Sequence, residues 1–554
     1  MDYRPWHRHY DYNVPITMRI PRLPVPDILQ LPANAYPDKA AYHFLGAEMT
    51  FWELRQQVLR MANALGEMGV QKGDRVGLHL PTCPQYIIAY YAVLSLGAIV
   101  VNLNPLYTVE ELRGVFTTTG ISTLFTIDTA MSTISVLSRN VEIKRMIVTR
   151  LEDYSRSGRA AKSPDLKEGW LYFSFVLEKC VVTRRPRVNI MPEDPALIQF
   201  TGGTTGIPKG AVLSHANVIA ATVGASLFLS PIVQLTPPER RFWMGAIPFF
   251  HIYGNIGVIN LSVFNYATQI LVPNFQIDEM MELLAGYKQI LAFPTVPTMI
   301  SAIINHPRAG ELGLDRKLGF LNSGGAPMPV EIINRIKDMG IYYSEGWSMS
   351  ETTCAGTLNP LLGLSKIGSI GIPVIDTDIK LVDLAEGVND VPLGEPGEMV
   401  IKGPTVTKGY WNNPEETAGQ IKDGWLSTGD IATQDEDGYF FIVDRKKDMI
   451  IAGGFNIYPR EIDEVLHQHP KVKAAISVGV PHEYRGETVK AFVVLKEGET
   501  ATEEDIISFC REKLTSYKVP KLVEFRDELP QSAVGKVLRR LLRDEEVKKQ
   551  KSKS

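Results

Sequence analysis

The stretch Thr201-Gly-Gly-Thr-Thr-Gly-Ile207 packs three glycines and three threonines into seven residues. Such a run cannot continue a helix and would weaken a strand, so the chain must turn here. The full loop runs from Phe200 to Gly210. Before it, Ala196-Leu-Ile-Gln-Phe200 is an apolar run with the length of a buried strand. Behind it, Val212-Leu213 leads to Ser214, a suitable N-cap for a helix starting at His215. Glycine permits positive φ and close approach, so backbone amides can point at anionic oxygens. The threonine hydroxyls add donors or a metal ligand, and Lys209 adds a point charge. A Walker A loop requires Gly-Lys-Ser/Thr, whereas the order here is Lys209-Gly210. Taken alone, the loop fits a polyphosphate cradle or a flexible hairpin.

A chain of 554 residues has room for about three to four domain-sized cores. Its 45% apolar and 22% charged residues are ordinary for a globular protein. A net charge of −4 leaves no electrostatic footprint for nucleic acid. Cys83, Cys180, Cys354 and Cys510 are far apart with no CxxC, which argues against a disulfide scaffold or structural zinc and suits the cytoplasm. Met1 to Arg22 lacks an apolar segment of the kind a signal peptide needs, and the terminal Ser-Lys-Ser is not the peroxisomal Ser-Lys-Leu. Two uncharged runs have the length of membrane spans, Tyr86–Leu103 and Gly254–Val272. The first breaks at Gly97 into a helix and a strand, and the second carries Asn255, Asn260 and Asn265, which are costly in lipid. Both are therefore expected in the core, with no transmembrane segment.

Thr50-Phe-Trp-Glu53 is a capping box, followed by Leu54, Val58, Met61 and Leu65 at helical spacing. Arg75–Leu80 is expected as a strand, Pro84–Leu96 as a helix and Ile99–Val101 as a strand. Leu124–Ile127 and Arg145–Thr149 continue the strand pattern. The alternation predicts an α/β fold with a mainly parallel, doubly wound sheet, and residues 190–360 repeat it. Asp153–Asp165 is polar and is expected as a surface excursion. Residues 365–440 carry short β-rich runs between glycines, as in a small barrel or sandwich. Five consecutive charges, Asp444-Arg-Lys-Lys-Asp448, are expected as a solvated loop between strands Tyr439–Val443 and Met449–Ala452. After them a compact α+β pattern marks a small separate domain. The lysine-rich tail from Asp544 is expected to be frayed.

The loop Thr201–Gly210 resembles the signature of the adenylate-forming (AMP-forming) synthetases, with Gly202 where a second serine is usual, a form similar to the fatty-acyl-CoA ligase branch. Further motifs follow in order. They are Pro248-Phe-Phe-His251-Ile-Tyr-Gly254, Asn322-Ser-Gly-Gly-Ala326-Pro327, Glu345-Gly-Trp-Ser-Met-Ser350-Glu351, Ser427-Thr-Gly-Asp430 with Arg445, and Gly535-Lys536. The resemblance spans about residues 30 to 540.

It implies a large N-terminal domain over 1–444 with two doubly wound α/β sheets and a small β-barrel, a hinge at 445–448, and a mobile α+β domain over 449–554. It implies ATP, a carboxylic acid and coenzyme A as substrates, with Mg²⁺ entering with ATP. The implied catalytic residues are Lys536, Lys209, His251 and Glu351. The implied nucleotide contacts are Thr201, Gly202, Gly203, Thr204, Thr205, Gly206 and Lys209 of the loop. Gly325, Ala326 and Pro327 join them, as do Glu345, Gly346, Trp347, Ser348, Met349 and Ser350, and then Asp430, Ile442, Arg445 and Lys536. An indole at Trp347 stacks on adenine as well as a phenol does. Glu351 is a hard oxygen donor for Mg²⁺, with Thr204. Lys447 is the implied pivot, and Gly453, Gly454 and Phe455 border the pantetheine arm. The acyl pocket is implied along His251, Tyr253, Gly254, Asn255, Gly325, Ala326 and Met349. Read alone, His251 is a packed core histidine, Glu351 a helix-capping or surface glutamate and Lys536 a surface residue. The resemblance leaves room for peripheral membrane contact and a homodimer.

Three other functions compete. A peptide-synthetase adenylation domain would carry an aspartate near Pro248–Gly254, and none is there. A luciferase-like oxygenase would share the fold. A non-catalytic ATP-binding protein would be expected to lose Lys536 or Glu351. The expectation is an acid–CoA ligase for a medium- or long-chain fatty acid, with a compact aromatic or alicyclic acid as the alternative.

Overall fold

Short apolar strands alternating with helices build two large parallel-centred sheets. The computed structural model describes the chain apart from residues 1–3, 159–165, 167–168, 202–208, 327, 453–454, 483, 532–536 and 552–554. By contacts the chain divides into two compact units, residues 1–378 with 401–426, and residues 379–400 with 427–554.

In the first unit, a seven-stranded sheet has the order Trp170–Tyr172, Arg145–Thr149, Thr123–Ile127, Arg75–His79, Ile99–Asn102, Pro195–Thr201, Lys209–Ser214. Every neighbouring pair is parallel except the last, which is an antiparallel hairpin. A nine-stranded sheet runs from Ile372–Pro373 through Thr357–Leu358, Tyr342–Trp347, Leu318–Ser323, Ile290–Thr295, Phe242–Gly245, Thr268–Leu271 and Ala40–Phe44 to Ala47–Thr50. Its interior is parallel and its two ends antiparallel. These are the two doubly wound sheets expected from the alternation.

Local signals act where the sequence places them. Thr50 and Glu53 form the capping box of helix Phe51–Glu67, whose Leu54, Val58, Met61 and Leu65 are buried. Helix Pro84–Ser95 is buried on every side, as its unbroken apolar composition requires, and Gly97 follows it at φ 64°. Asn255, Asn260 and Asn265 are buried and hydrogen-bonded to protein groups. Among the described residues no helix is long and apolar enough to cross a membrane.

The region expected as a small barrel is a five-stranded sheet of Asp378–Val382, Gly397–Lys402, Trp425–Gln434 and Ile421–Lys422, with Phe440–Arg445 paired to Trp425–Gln434. A further sheet, wholly in the second unit, orders Phe455–Ile457, Ile450–Ala452, Gly486–Leu495 and Val472–His482, with Leu522–Phe525 paired to Gly486–Leu495. Helices Pro459–His467 and Glu503–Lys513 belong to the same unit, an α+β arrangement.

Three expectations drawn from charge alone are corrected. Asp444 is not a solvated loop residue: it lies in strand Phe440–Arg445 and is 3% exposed. Its carboxylate accepts the amides of Arg445 and Arg460, each at 2.7 Å, and pairs with Arg539. The tail from Asp544 is not frayed through residue 551, because it continues helix Arg539–Lys551. There Glu545, Glu546 and Lys549 join Lys490, Glu524 and Arg526 in one ion-pair cluster. Asp153 is folded onto Arg150 at 2.7 Å with little exposure, so the surface excursion does not begin there. Composition signals charge, and burial is decided by whether partners wait at the same place.

His215 offers a test of the core. It opens helix His215–Phe228 and is fully buried. Its Nδ1 accepts the Val25 amide N–H at 3.1 Å, which requires a neutral ring protonated on Nε2. Burial lowers its pKa from 6.5 to about 4, with Asp194 opposing and Lys72 adding to the fall. Between those values the unfolded chain binds a proton that the folded chain refuses, so stability falls as pH drops through the window. The displacement corresponds to about 3 kcal/mol. His215→Gln is expected to flatten the decline of thermal midpoint between pH 6.5 and 4. Parallel pH profiles for the two proteins would refute a buried neutral histidine.

Candidate active site

The glycine-rich stretch is flanked by two paired strands. Strands Pro195–Thr201 and Lys209–Ser214 pair antiparallel, with Thr201 opposite Lys209 and Phe200 opposite Gly210. Gly202, Gly203, Thr204, Thr205 and Gly206 lie outside the described residues. Gly210 is closely packed: a Cβ there would stand 2.8 Å from the Ile198 side chain, which would have to shift. The outer edge of Lys209–Ser214 is covered by Gly409–Trp411. The Val212 amide donates to the Gly409 carbonyl at 3.0 Å, and the Trp411 amide to the Gly210 carbonyl at 2.8 Å.

That same segment gathers the charged groups. The Lys209 ammonium pairs with Glu416, on helix Pro414–Gln420, and lies 6.0 Å from the centre of the Tyr410 ring. The Tyr410 hydroxyl donates to Glu351 Oε1 at 3.0 Å. Glu351 is 5% exposed, and its carbonyl accepts the Thr407 amide at 2.7 Å. The structure thus brings together Lys209 and Glu351, which are 142 positions apart, around a tyrosine that carries no sequence signal. Glu416 had a weak signal, since Asn413-Pro414 marks the start of its helix. Among the described residues no group of three or more His, Cys, Asp and Glu could hold a metal. One buried carboxylate suits a cation whose other ligands are phosphate oxygens and water, which is the usual habit of Mg²⁺.

The parallel strands of the large sheet deliver the next residues from their C-terminal ends. Strand Leu318–Ser323 leads to Gly325, at φ 84° with open space where a Cβ would stand, and to exposed Ala326; Pro327 lies outside the described residues. Strand Tyr342–Trp347 carries Glu345, Gly346 and Trp347. Glu345 Oε1 accepts the Met328 amide at 3.2 Å, which ties the two strand ends together. Gly356 presses against the Trp347 ring, where a Cβ would come within 2.7 Å. Ser348 is exposed, and its hydroxyl donates to Cys354 Sγ at 3.7 Å. The Met349 amide donates to Thr352 Oγ1, and Ser350 opens the turn Ser350–Thr352 that carries Glu351.

The histidine segment is a tight turn leading into a π-helix, Asn255–Asn260. His251 caps the turn, its Nδ1 accepting the Tyr253 amide at 3.2 Å. The Tyr253 hydroxyl donates to Asn322 Oδ1 at 2.6 Å and accepts the Thr295 amide at 3.2 Å. Asn255 Oδ1 accepts from Tyr90 at 3.1 Å and from Asn260 at 3.1 Å. Phe249 is buried against Tyr86, with ring centres 5.5 Å apart.

In the second unit, Arg445 Nε pairs with Asp430 Oδ1 at 3.1 Å across strands that set the two residues opposite each other. The Ile442 carbonyl accepts from Arg460 at 2.8 Å. Lys447 has its pKa lowered by burial and then by Arg445. Phe455 is exposed and stacks on Tyr517 at 4.6 Å between ring centres. Gly453, Gly454 and Lys536 lie outside the described residues.

Known proteins resemble this chain along nearly its whole length. The family model described as AMP-binding enzyme matches residues 29–411, and that of the AMP-binding enzyme C-terminal domain matches residues 461–536. A long-chain-fatty-acid–CoA ligase of Bacillus subtilis (strain 168) is 38% identical over 556 residues, covering 98% of each chain. A feruloyl-CoA synthase of Amycolatopsis sp is 35% identical, covering 92% of this chain and 96% of its own. The crystal structure of ATP-bound MatB from Rhodopseudomonas palustris superimposes with a TM-score of 0.81 at 28% identity, covering 94% of this chain and 99% of that one.

Gly254 exposes the tightness of the histidine turn. A Cβ at this position would lie 2.2 Å from the Pro248 carbonyl oxygen, a backbone atom that cannot swing aside. Gly254→Ala is expected to destabilise by about 1–3 kcal/mol through overpacking. Gly114→Ala is the control: it sits in helix Val109–Thr119 with open space around the new methyl, and should stabilise by about 0.5–1 kcal/mol. Thermal midpoints that move alike would show the turn to be slack.

Proposed function

The chain belongs to the AMP-binding enzyme family and is an AMP-forming acyl-CoA synthetase, and from that premise we propose that its acid is a medium- or long-chain fatty acid. The observation that carries the chemistry is the gathering of Lys209 and Glu351 around Tyr410 beside the arms of the glycine-rich hairpin. Similarity to long-chain-fatty-acid–CoA ligases over nearly the whole chain supports the choice of acid.

The reaction runs in two halves. A carboxylate oxygen attacks the α-phosphorus of ATP, the bond to pyrophosphate breaks, and an acyl-adenylate forms. The thiol of coenzyme A then attacks the acyl carbon and AMP leaves. Two anions must meet in the first half, so positive charge has to be waiting. Lys209, Lys536 and the loop amides from Thr201 to Gly206 are assigned that role. Glu351, with Thr204, would hold Mg²⁺, which draws charge from the phosphates when bound. Trp347 is assigned the stack on adenine, with Gly325 and Ala326 along its face, Ser350 the α-phosphate and His251 the side of the carboxylate. Asp430 and Arg445 bind the ribose hydroxyls, a task suited to a carboxylate with two acceptor oxygens. Lys447 is the pivot for the second half, in which Gly453, Gly454 and Phe455 border the pantetheine arm. The four free thiols are compatible with the reducing cytoplasm.

A compact aromatic acid is the second reading. Tyr253, whose hydroxyl donates to Asn322 and accepts from Thr295, and the amides of Asn255 and Asn260 close by in the chain, favour a polar, short pocket over a greasy channel. Pyrophosphate release across acids of four to eighteen carbons, with benzoate, cyclohexanecarboxylate and ferulate, separates them. A channel should lower KM about fourfold per methylene, from about 0.8 kcal/mol each. Maximal activity at or below six carbons, with ring acids preferred, would overturn the fatty-acid reading.

The two halves can be separated in the same assay. Lys536→Ala should cut adenylation about 10²–10³-fold. Lys447→Pro fixes φ at the pivot and should leave adenylation intact while thioester formation stalls. Equal loss of both halves in Lys447→Pro would place the pivot elsewhere.

A further inference from the structure

We propose that Tyr410 is a positioning residue that sets the Glu351 carboxylate for the cation it holds; this rests on the reading of Glu351 as the cation's carboxylate. The two side chains are both buried, at 8% and 5% exposure, and the phenol donates to Oε1 at 3.0 Å. A phenol carries its proton at neutral pH, so the hydroxyl donates and the carboxylate accepts. A neutral donor fixes the plane of the carboxylate without cancelling its charge. A lysine or arginine in the same place would fix it and also cancel the charge that attracts a cation.

Tyr410 can do this because its own backbone is held from three sides. Its neighbours Gly409 and Trp411 bond to the strand that follows the glycine-rich loop, and its amide donates to Thr417 Oγ1 at 3.0 Å. Gly409 permits the close approach, since a Cβ there would stand 2.7 Å from the Thr417 side chain. The main chain of Glu351 is gripped by the same segment, through the Thr407 amide at 2.7 Å. Residues 407–410 therefore hold Glu351 at its carbonyl and at its carboxylate. Since this segment also rides on Lys209–Ser214, the carboxylate is tied to the arm that carries Lys209. The tyrosine thereby ties the position of the carboxylate to backbone pairing rather than to a mobile side chain.

The test is Tyr410→Phe, which keeps the ring and removes one hydroxyl. The readout is the Mg²⁺ dependence of equilibrium binding of a non-hydrolysable ATP analogue to the full chain, followed by titration calorimetry, with thermal midpoint alongside. The Mg²⁺ concentration for half-maximal binding is expected to rise about tenfold to a hundredfold, the usual effect of removing a group that orients a metal ligand. The midpoint should move by only a few degrees. Glu351→Gln should raise the requirement as well, and Tyr410→Phe should add nothing in that background. If Glu351→Gln shifts the Mg²⁺ titration and Tyr410→Phe does not, Tyr410 only packs and the proposal is wrong. If Glu351→Gln leaves the titration unchanged, Glu351 does not hold the cation, and the reading beneath the proposal is wrong.

Discussion

The strand that leaves the glycine-rich stretch is fixed by backbone pairing along both of its edges, as buried N–H and C=O groups require. That constraint accounts for the arrangement around Lys209–Ser214. One edge of the strand is laddered to Pro195–Thr201 and the other to Gly409–Trp411. Both ladders are continuous with buried structure. Asn217 caps the following helix and reaches the carbonyls of Pro404 and Val406, and Thr407 bonds back to Val212. The loop's exit is thereby welded to the segment that carries Tyr410 and Glu416. Loosening either ladder would release Lys209, Glu351 and the helix His215–Phe228 together.

A second tie links the hairpin to the histidine turn through the core. Gln199, in the entering strand, donates to the Phe250 carbonyl at 3.1 Å and accepts from Asn102, which accepts from Tyr86. Further along the same buried helix, Tyr90 and Tyr91 bond the amides of the π-helix. Amides are expensive to bury unless satisfied, so these contacts favour one register of helix against helix. π-Helical turns are uncommon and cluster at functional sites, in keeping with the placement of Asn255 one turn after His251.

Much of the fold was legible because its signals are local. Caps at Thr50 and Ser214, the glycine after Pro84–Ser95, and uniform apolar strands each announce themselves within a few residues. The site was legible only as a set of separate motifs. Nothing near residue 410 in the sequence indicates a partner 59 positions away, nor does Glu416 announce a lysine 207 positions away. These pairings exist only once the sheet edge is built. The charge-rich segments were misjudged for the same reason. Asp444 and Glu546 look solvated until Arg460, Arg539 and Lys490 arrive from elsewhere in the chain.

The last helix is attached both by buried Leu542, packed with Ile476, Val478 and Phe492, and by that cluster of three cations and three carboxylates. Its members are unequally sheltered. Lys490 and Glu546 side chains are each 11% exposed and meet at 2.7 Å, whereas Lys549 is 43% exposed. Dissolved salt screens charges that water can reach and hardly touches those it cannot. Rising ionic strength should therefore peel the helix from its outer turn inward and stop at the sheltered pair. The chain's final turn is a gauge of the medium around it, while the turn beneath is indifferent.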